Sequence, residues 1–497
     1  MKKYLTKIIE FIKKHDNIFV IMLIFLSIAG ITLNVLIANS DELWNFQNVY
    51  KIYNGFQIYQ DANVIVTPLF FGIGELLFEI LGASFLSFRI YNVLIMAILY
   101  FITYLILKKI GISKKMSIIT ILVLIVLKNY EMILVQANYN NLALMLCLIG
   151  ILLNLNKSKN NSIIQATILF LVFITKQNIG IYYGIGLFVS ELLNENNVKN
   201  KIKNLIKEFI IFITFCVLLL IYFYGNNNLN NFINYAFLGI SQFAEENISI
   251  DILDLFFALL FIIMNISLSI VFIKNKKISI NKIEKNNILV LNCFSIPLSL
   301  IMYPILNDAH FLIGIYASIL LFIYLIVLMI NKIEIKINKN ILNTILISFS
   351  IITVTISTMN FYSWISILNS VDYKLDIKNP YYGGIIDEEL LNNINEVVAF
   401  IQKDSDEVVV LSSKAAFYMI PMKLSNGMMD LPLKGNLGKN GEEGLINQIK
   451  NMKNAKILIE KDEENLNWQE SKFVREYIIN NMEEVGEIEE FLVYKEK

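Results

Sequence analysis

Residues Ser40–Gly82 read SDELWNFQNVYKIYNGFQIYQDANVIVTPLFFGIGELLFEILG and follow the first apolar run of membrane-spanning length. The stretch opens with two adjacent carboxylates, Asp41 and Glu42, at the predicted boundary between bilayer and water. A carboxylate beside hydrocarbon is costly unless it faces a cavity or a partner, so the pair predicts a functional site. The Tyr, Trp, Asn and Gln residues that follow can lie at an interface and hydrogen-bond polyhydroxylated ligands. The alternative is an aromatic belt with a solvated acid pair.

The composition predicts a polytopic membrane protein. The chain has 497 residues, of which 56% are hydrophobic and 17% charged, so the charged residues lie between long apolar runs. The formal net charge is zero and no Lys/Arg stripe carries interleaved aromatics, so nucleic acid is not expected as a partner. The three cysteines fall within apolar runs, which indicates neither a disulfide framework nor a metal knuckle.

The apolar runs predict the membrane topology, because about 20 apolar residues cross a bilayer as a helix and Lys-rich connections stay cytoplasmic. About eleven spans are predicted, near residues 17–38, 85–107, 117–134, 142–156, 162–175, 179–195, 208–224, 251–273, 287–304, 311–330 and 341–360. Residues 39–66 are predicted as an external loop, and 67–82 as a juxtamembrane or re-entrant helix. Every Lys cluster then falls on one side, which places the N-terminus in the cytoplasm. An all-α polytopic membrane domain is therefore expected over residues 1–360, with the external first loop at 39–82.

The composition changes after about residue 361, where apolar runs shorten and charge rises. Helical periodicity is predicted over 387–402, 441–452 and 470–481, and strands at 407–413, 455–461 and near 489–494. Alternation of helix and strand predicts a soluble extracytoplasmic α/β domain over 361–497. Its Gly-rich stretch KGNLGKNG at 434–441 lacks the spacing of a phosphate-binding motif and is predicted as a loop.

Polar clusters that emerge on the external face are the candidates for chemistry. Asp41 and Glu42 can supply a general base for a hydroxyl acceptor. Amide and phenol groups suited to sugar hydroxyls are offered by Asn138, Tyr139, Asn140, Asn141 and Gln177. The alternative for the Asn cluster is that it only solvates a turn. Lys176 can hold a phosphate as a point charge, or it can extend its ammonium to the lipid headgroups without binding a ligand.

His310 and Arg89 each leave alternatives open. His310 is one of two histidines and follows Asp308 by two residues, so it is a candidate for sugar or acceptor binding. The pair Asp308 and His310 can also form a mutual hydrogen bond at a loop or, with Asp41, a divalent-cation site. Arg89 is one of two arginines in a chain that otherwise uses Lys, and Glu75 and Glu79 precede it. It can pair with a glutamate or bind a phosphodiester through two hydrogen bonds.

A set of residues in and after the first loop resembles a known family. The set comprises Asp41-Glu42, Gly55, Thr67-Pro68-Leu69, Gly82, Arg89 and Tyr91-Asn92. It looks like the membrane-embedded GT-C glycosyltransferases. Within that fold it is most similar to the protein O-mannosyltransferases (glycosyltransferase family 39-like) and the bacterial aminoarabinose and related lipid-linked sugar transferases. The resemblance covers residues 1–360, and an exported α/β tail is usual in such bacterial proteins.

The resemblance implies a function and residue roles. It implies a hexosyl- or pentosyltransferase whose sugar donor is carried on a polyprenyl phosphate and enters from the lipid bilayer, with a glycan, lipid or protein acceptor on the outer face. Asp41 matches the acidic catalytic position, Glu42 its neighbour, and Arg89 the basic residue of the second span. Arg89 and Lys176 are then expected to bind the donor phosphate. Thr67-Pro68 stands where the mannosyltransferases tend to have His-Pro, and this departure weakens the case for a protein acceptor.

Two alternatives to this function are a lipid-linked saccharide transporter or flippase, and a glycan polymerase or ligase. A transporter of this kind should show pseudo-symmetric halves with interrupted helices. The sequence shows no such repeat, and its acids cluster at one surface, which favours an enzyme at the membrane boundary. The sequence identifies no cofactor, and a divalent cation is one option.

Overall fold

The structure is a computed structural model, and it describes most of the chain. The described residues are 20, 24, 40–129, 138–156, 161–194, 198–240, 248–275, 280–306, 308–332, 348, 355, 379–384, 388–403, 407–423, 427–464, 466 and 470–497. The predicted spans 17–38 and 341–360 and the N-terminal cytoplasmic lysines therefore lie outside the described residues, apart from single positions. So does the predicted domain boundary near 361.

Helices dominate the described residues up to Lys332. They are α1 (Ser40–Tyr53), α2 (Leu69–Leu81), α3 (Phe85–Lys109), α4 (Lys114–Asn129), α5 (Tyr139–Asn156), α6 (Asn161–Phe173), α7 (Gln177–Asn194), α8 (Val198–Gly225), α9 (Leu229–Ile233), α10 (Ile252–Lys274), α11 (Lys282–Leu298) and α12 (Asp308–Lys332). A π-helical turn follows α9 at Asn234–Leu238, and a 3-10 turn follows α11 at Ser299–Met302. Two short strands complete this part, β1 at Ser249–Ile250 and β2 at Ile305–Leu306.

Six helices in the described part of the chain are long and apolar enough to cross a membrane. These are Phe85–Lys109, Tyr139–Asn156, Val198–Gly225, Ile252–Lys274, Lys282–Met302 and His310–Lys332. Each coincides with a predicted span, and the chain is a multi-pass membrane protein. The count of about eleven spans stays a prediction.

The starts of α10 and α11 follow from local capping. The Asp251 carboxylate accepts hydrogen bonds from the backbone nitrogens of Leu253 at 2.8 Å and Asp254 at 3.1 Å, so α10 begins after it. Asn281 and Glu284 form a reciprocal capping box at the start of α11. Capping satisfies backbone N–H groups that a helix cannot pair internally, and this fixes where each apolar run becomes helical.

The C-terminal part combines helices with a four-stranded sheet. Its elements are α13 (Glu388–Lys403), β3 (Val408–Val410), α14 (Ala416–Met422), α15 (Gly441–Asn451), β4 (Lys456–Glu460), α16 (Lys472–Asn481), β5 (Met482–Ile488) and β6 (Phe491–Glu496). The strand order is β3-β4-β6-β5, with β3 and β4 parallel and the other pairs antiparallel. Val409, Ile457 and Ile459 of the sheet share an apolar core with Leu445 and Ile478 of the helices.

The six helices and strands predicted in this part coincide with elements of the structure, whereas α14 and β5 were not predicted from the sequence. The boundaries of the membrane domain (1–360) and the extracytoplasmic domain (361–497) remain predictions.

The chain forms two compact units. Unit 1 contains the described residues of Met1–Asn34, Arg89–Ile213 and Ile250–Ser366. Unit 2 contains those of Val35–Phe88, Thr214–Ser249 and Ile367–Lys497, so the first loop and the C-terminal part share a unit.

Within unit 1, α7 packs closely against α11. A Cβ added to Gly186 would lie 2.7 Å from Cδ1 of Phe294 and 2.9 Å from the Cys293 carbonyl oxygen. Glycine therefore permits the close approach of these helices. Tyr183 donates to Oε1 of Gln165 at 2.7 Å and stacks on the Phe294 ring, which satisfies a phenol in an apolar setting.

Within unit 2, Ser40–Tyr53 is a helix, although the sequence analysis placed it in a loop. Phe46 packs against Phe78 and Phe85, with ring centres 5.9 and 5.0 Å away. The acids in the first turn and Lys51 in the last turn complement the helix dipole. The helix therefore owes its stability to tertiary packing and end charges, and its Asn, Gln and Trp residues hide the usual periodic pattern.

Candidate functional site

The helix α1 carries the two predicted catalytic acids at its first turn. Asp41 is exposed, whereas Glu42 is 2% exposed. The Asp41 carbonyl oxygen accepts a hydrogen bond from Nδ2 of Asn45 at 2.8 Å, one turn later. The exposed carboxylate of Asp41 is accessible to a ligand from solvent, whereas the buried carboxylate of Glu42 is enclosed by other protein groups. The two adjacent acids therefore have different environments, and their catalytic roles remain predictions.

Residues 42–51 of α1 are buried, and several of their side chains are polar. The sequence did not indicate that these polar residues belong to a site. Asn45, Gln47, Asn48 and Lys51 are each between 1% and 3% exposed. Nδ2 of Asn48 donates to the Trp44 carbonyl oxygen at 3.0 Å. Neither amide atom of Gln47 has a hydrogen-bond partner among the described residues. A buried polar group without a partner is costly. The only signal in the sequence was the clustering of three amide residues within four positions, at Asn45, Gln47 and Asn48.

Lys51 forms a buried ion pair at the other end of α1. Its ammonium contacts the Asp430 carboxylate, and the two side chains are 3% and 1% exposed. The ammonium also donates to the Asp61 carbonyl oxygen at 3.0 Å. Burial lowers the pKa of Lys51 to about 7, while the charge of Asp61 acts in the opposite direction. The ion pair of Lys51 and Asp430 could not be predicted from the sequence because the two residues lie far apart in the chain.

A second group of predicted site residues comes together in unit 1. Nζ of Lys176 donates to Oδ1 of Asn140 at 2.7 Å and lies 5.1 Å from the centre of the Tyr139 ring. Lys176 also interacts electrostatically with His310, which is partly buried. The ammonium is therefore oriented by an amide oxygen and lies beside an aromatic ring. The arrangement can hold an anion beside groups that bind hydroxyls.

Asn138 and Gln177 lie at helix starts in the same unit. Oδ1 of Asn138 accepts the backbone N–H of Asn141 at 3.0 Å, which caps α5. Gln177 is the first residue of α7 and is 6% exposed. The structure thus gives Asn138 a capping role, and ligand binding by both residues remains a prediction.

Arg89 is fully buried in α3 of unit 1, at 0% exposure. A guanidinium without solvent requires acceptors, so its surroundings must supply negative charge or carbonyl oxygens. Glu75 and Glu79, the alternative partners from the sequence, belong to unit 2. Burial, together with the neighbouring Glu79, raises the pKa of Glu75. The role of Arg89 in phosphate binding remains a prediction.

The divalent-cation alternative rested on Asp308 and His310. Asp308 begins α12, but its side chain lies outside the described part of the structure. No group of three His, Cys, Asp or Glu residues suited to a metal ion occurs in the described ranges. The cation option therefore stays an open prediction.

Comparison with solved structures shows the fold. Over 96% of this chain and 97% of the other, the structure is similar to ArnT from Cupriavidus metallidurans bound to undecaprenyl phosphate, with 10% identity and a TM-score of 0.57. It is also similar to the apo oligosaccharyltransferase of Archaeoglobus fulgidus, over 90% of this chain and 70% of that one, with 10% identity and a TM-score of 0.51. No family model matches the sequence, and no curated protein matches it. The chain has the GT-C fold, as the resemblance predicted.

Proposed function

We propose that this chain is an integral membrane glycosyltransferase that uses a polyprenyl-phosphate-linked sugar as its donor. The observation that carries the proposal is the likeness over nearly the whole chain to ArnT, whose crystal structure holds undecaprenyl phosphate. A protein of the same fold that binds a lipid phosphate supports a lipid-linked donor for this chain. The acceptor is a glycan, lipid or protein on the outer face of the membrane.

The proposed topology follows the lysines. About eleven spans leave every Lys-rich connection in the cytoplasm, and the first loop, the 138–141 turn and Lys176 face outward. Residues 361–497 form an external α/β domain in this arrangement. The donor then reaches the site from the bilayer, and the acceptor arrives from the external water. An external site suits an enzyme that joins a lipid-borne sugar to a surface acceptor.

In the proposed mechanism, Asp41 is the catalytic base. Its carboxylate removes the proton from the acceptor hydroxyl, whose oxygen attacks the anomeric carbon of the donor sugar. The bond between that carbon and the phosphate oxygen breaks, and polyprenyl phosphate departs. Direct displacement inverts the anomeric centre, and a phosphate leaves without a general acid, so one carboxylate suffices. The buried Glu42 supports Asp41.

In the proposed mechanism, the cations Lys176 and Arg89 stabilise the leaving phosphate. The leaving phosphate gains a negative charge as the bond breaks, and fixed cations beside a low-dielectric membrane stabilise that charge strongly. Lys176 is already oriented by Asn140, so little reorganisation is needed when the phosphate binds. Arg89 supplies the second cation. Sugar and acceptor hydroxyls are bound by Asn138, Tyr139, Asn140, Gln177 and His310.

The test uses the full chain purified into proteoliposomes. A panel of synthetic polyprenyl-phosphate sugars is supplied in the lipid, and products are identified by mass spectrometry. The expected result is that the chain releases polyprenyl phosphate and forms a glycosylated acceptor or, without acceptor, slowly hydrolyses one donor. Intact donor that moves from one leaflet to the other without cleavage would contradict the proposal and indicate a transporter.

A further inference from the structure

The position of the helix α1 depends on a partner for the buried ammonium of Lys51. The Lys51 ammonium is enclosed, at 3% exposure, near the C-terminal end of the helix. A buried charge is tolerated only when it is paired and hydrogen-bonded. The location of the partner of Lys51 therefore constrains the location of the helix.

The partner comes from the C-terminal part of unit 2. Asp430 contacts Lys51 and is itself 1% exposed, and the Asp61 carbonyl oxygen accepts a further hydrogen bond from Lys51 at 3.0 Å. The Asp61 carboxylate accepts the backbone N–H of Gln57 at 2.7 Å, which fixes the loop after α1. Helix, loop and C-terminal segment thus meet at a single ammonium.

The segment that carries Asp430 has further connections in unit 2. Nδ2 of Asn63, a residue at 0% exposure, donates to the Leu431 carbonyl oxygen at 2.7 Å. Oδ1 of Asn234 accepts the backbone N–H of Lys439 at 2.9 Å. Residues 430–439 are therefore held near both ends, at Leu431 and at Lys439, and they can act as a fixed support for Lys51.

We propose that Asp430 is a positioning residue, which fixes the helix of Asp41 through its ion pair with Lys51. This inference rests on the proposed function, in which Asp41 is the base. Lys51 lies ten positions after Asp41, or about 15 Å further along the helix axis. A tilt of about 4° around Lys51 would move Asp41 by about 1 Å, and a misplacement of that size can lower turnover about 100-fold. Asp430 acts at a distance and touches no substrate.

A purely structural role for the pair predicts a different outcome. It would lower the amount of folded protein and leave turnover per folded molecule unchanged. A positioning role lowers kcat, retains donor affinity, and loosens α1 itself. Hydrogen exchange of the α1 amides reports that loosening directly, because local opening exposes amides to water.

The experiment compares four variants of the full chain in nanodiscs. Asp430→Asn keeps the size and removes the charge, Lys51→Met removes the ammonium, and the third variant combines both. Glu463→Gln is the matched control, since Glu463 pairs with Lys472 at 3.2 Å on the surface, where the two side chains are 54% and 71% exposed. Each variant is measured for exchange in residues 40–53, for donor Kd and for kcat.

Asp430→Asn is expected to accelerate exchange in residues 40–53 at least about tenfold and to lower kcat about 10- to 100-fold, with donor Kd unchanged. The double variant should fold well and recover part of both effects, because no unpaired charge stays buried. Glu463→Gln should match the wild type. If Asp430→Asn does not fold, the double variant decides, since it should still exchange faster and turn over more slowly than the wild type.

Wild-type exchange in residues 40–53 of the folded Asp430→Asn or double variant would overturn the inference. Faster exchange with wild-type kcat would overturn it as well. A wild-type chain that transfers no sugar would instead overturn the proposed function, and with it the catalytic meaning of the pair. The exchange measurement would even then decide whether Asp430 fixes the helix.

Discussion

Replacing Lys176 with methionine is expected to weaken the binding of polyprenyl phosphate by about 10- to 100-fold. The ammonium is held 2.7 Å from Oδ1 of Asn140 and 5.1 Å from the centre of the Tyr139 ring, so the fold fixes the position of its positive charge. One hydrogen bond to a charged group contributes about 1.5–3 kcal/mol, and about 1.4 kcal/mol corresponds to a tenfold change in affinity. Methionine keeps the length of the side chain, so the loss reports the charge.

The assay is the Kd of polyprenyl phosphate for the full chain in nanodiscs. Asn140→Ala keeps the charge of Lys176 but removes its oriented acceptor, so a smaller loss of about fivefold is expected. Lys472→Met, at an exposed surface pair, is the matched control and should bind as the wild type does. If Lys176→Met bound the lipid phosphate as tightly as that control, the assignment of Lys176 to the donor phosphate would be refuted.

Three further changes test the packing, the second cation and the pH dependence. Gly150→Ala places a methyl group against the Tyr183 hydroxyl and should reduce stability in thermal unfolding by about 1–3 kcal/mol, whereas Gly72→Ala, in open space, should not; equal melting temperatures would contradict the packing described. Arg89→Lys keeps the charge but loses the planar fork, so donor Kd should rise about tenfold, and an unchanged Kd would exclude a bidentate contact. Burial raises the pKa of Glu470 above its usual 4.5, so this residue stabilises the fold while it is protonated at low pH, and that stabilisation is lost as pH rises. Glu470→Gln should therefore raise the melting temperature more at pH 8 than at pH 4. A larger increase at pH 4 would contradict burial as the cause.

The sequence predicted the membrane helices well. Residues 251–273 and 311–330 were predicted as spans, and the structure has helices at Ile252–Lys274 and Asp308–Lys332. A long apolar run between charged turns has few alternatives to a helix in a bilayer, so local composition determines these elements. Tertiary context changes only their ends.

Elements stabilised by distant contacts were harder to predict. The helix Ser40–Tyr53 was missed because amides and a lysine are buried together with apolar residues such as Phe46 and Val49, so the sequence shows no separate apolar and polar faces. The strand Met482–Ile488 was missed because it is polar, mostly exposed, and formed by pairing with its neighbour at the sheet edge. The ion pair of Lys51 and Asp430 joins distant positions. No local pattern contains that information.

The structure brings two of the predicted site residues into direct contact. Lys176 and Asn140, 36 positions apart, form a direct hydrogen bond, which the sequence could suggest only through a shared external face. Asn138 caps a helix, a role that local spacing already permits. The acids Asp41 and Glu42 were identified from their adjacency and position, but their different burial required the fold.

The central claim is that Asp41 is the base of a glycosyl transfer from polyprenyl phosphate. Its most direct test is the single-turnover rate of sugar transfer by purified Asp41→Asn, with Glu42→Gln as the matched variant and donor Kd measured in both. Asp41→Asn is expected to transfer sugar about 10²–10⁴-fold more slowly with donor Kd nearly unchanged, and Glu42→Gln to lose less. The wild-type product is expected to be inverted at the anomeric carbon. Transfer by Asp41→Asn at the wild-type rate would contradict the assignment of Asp41 as the base.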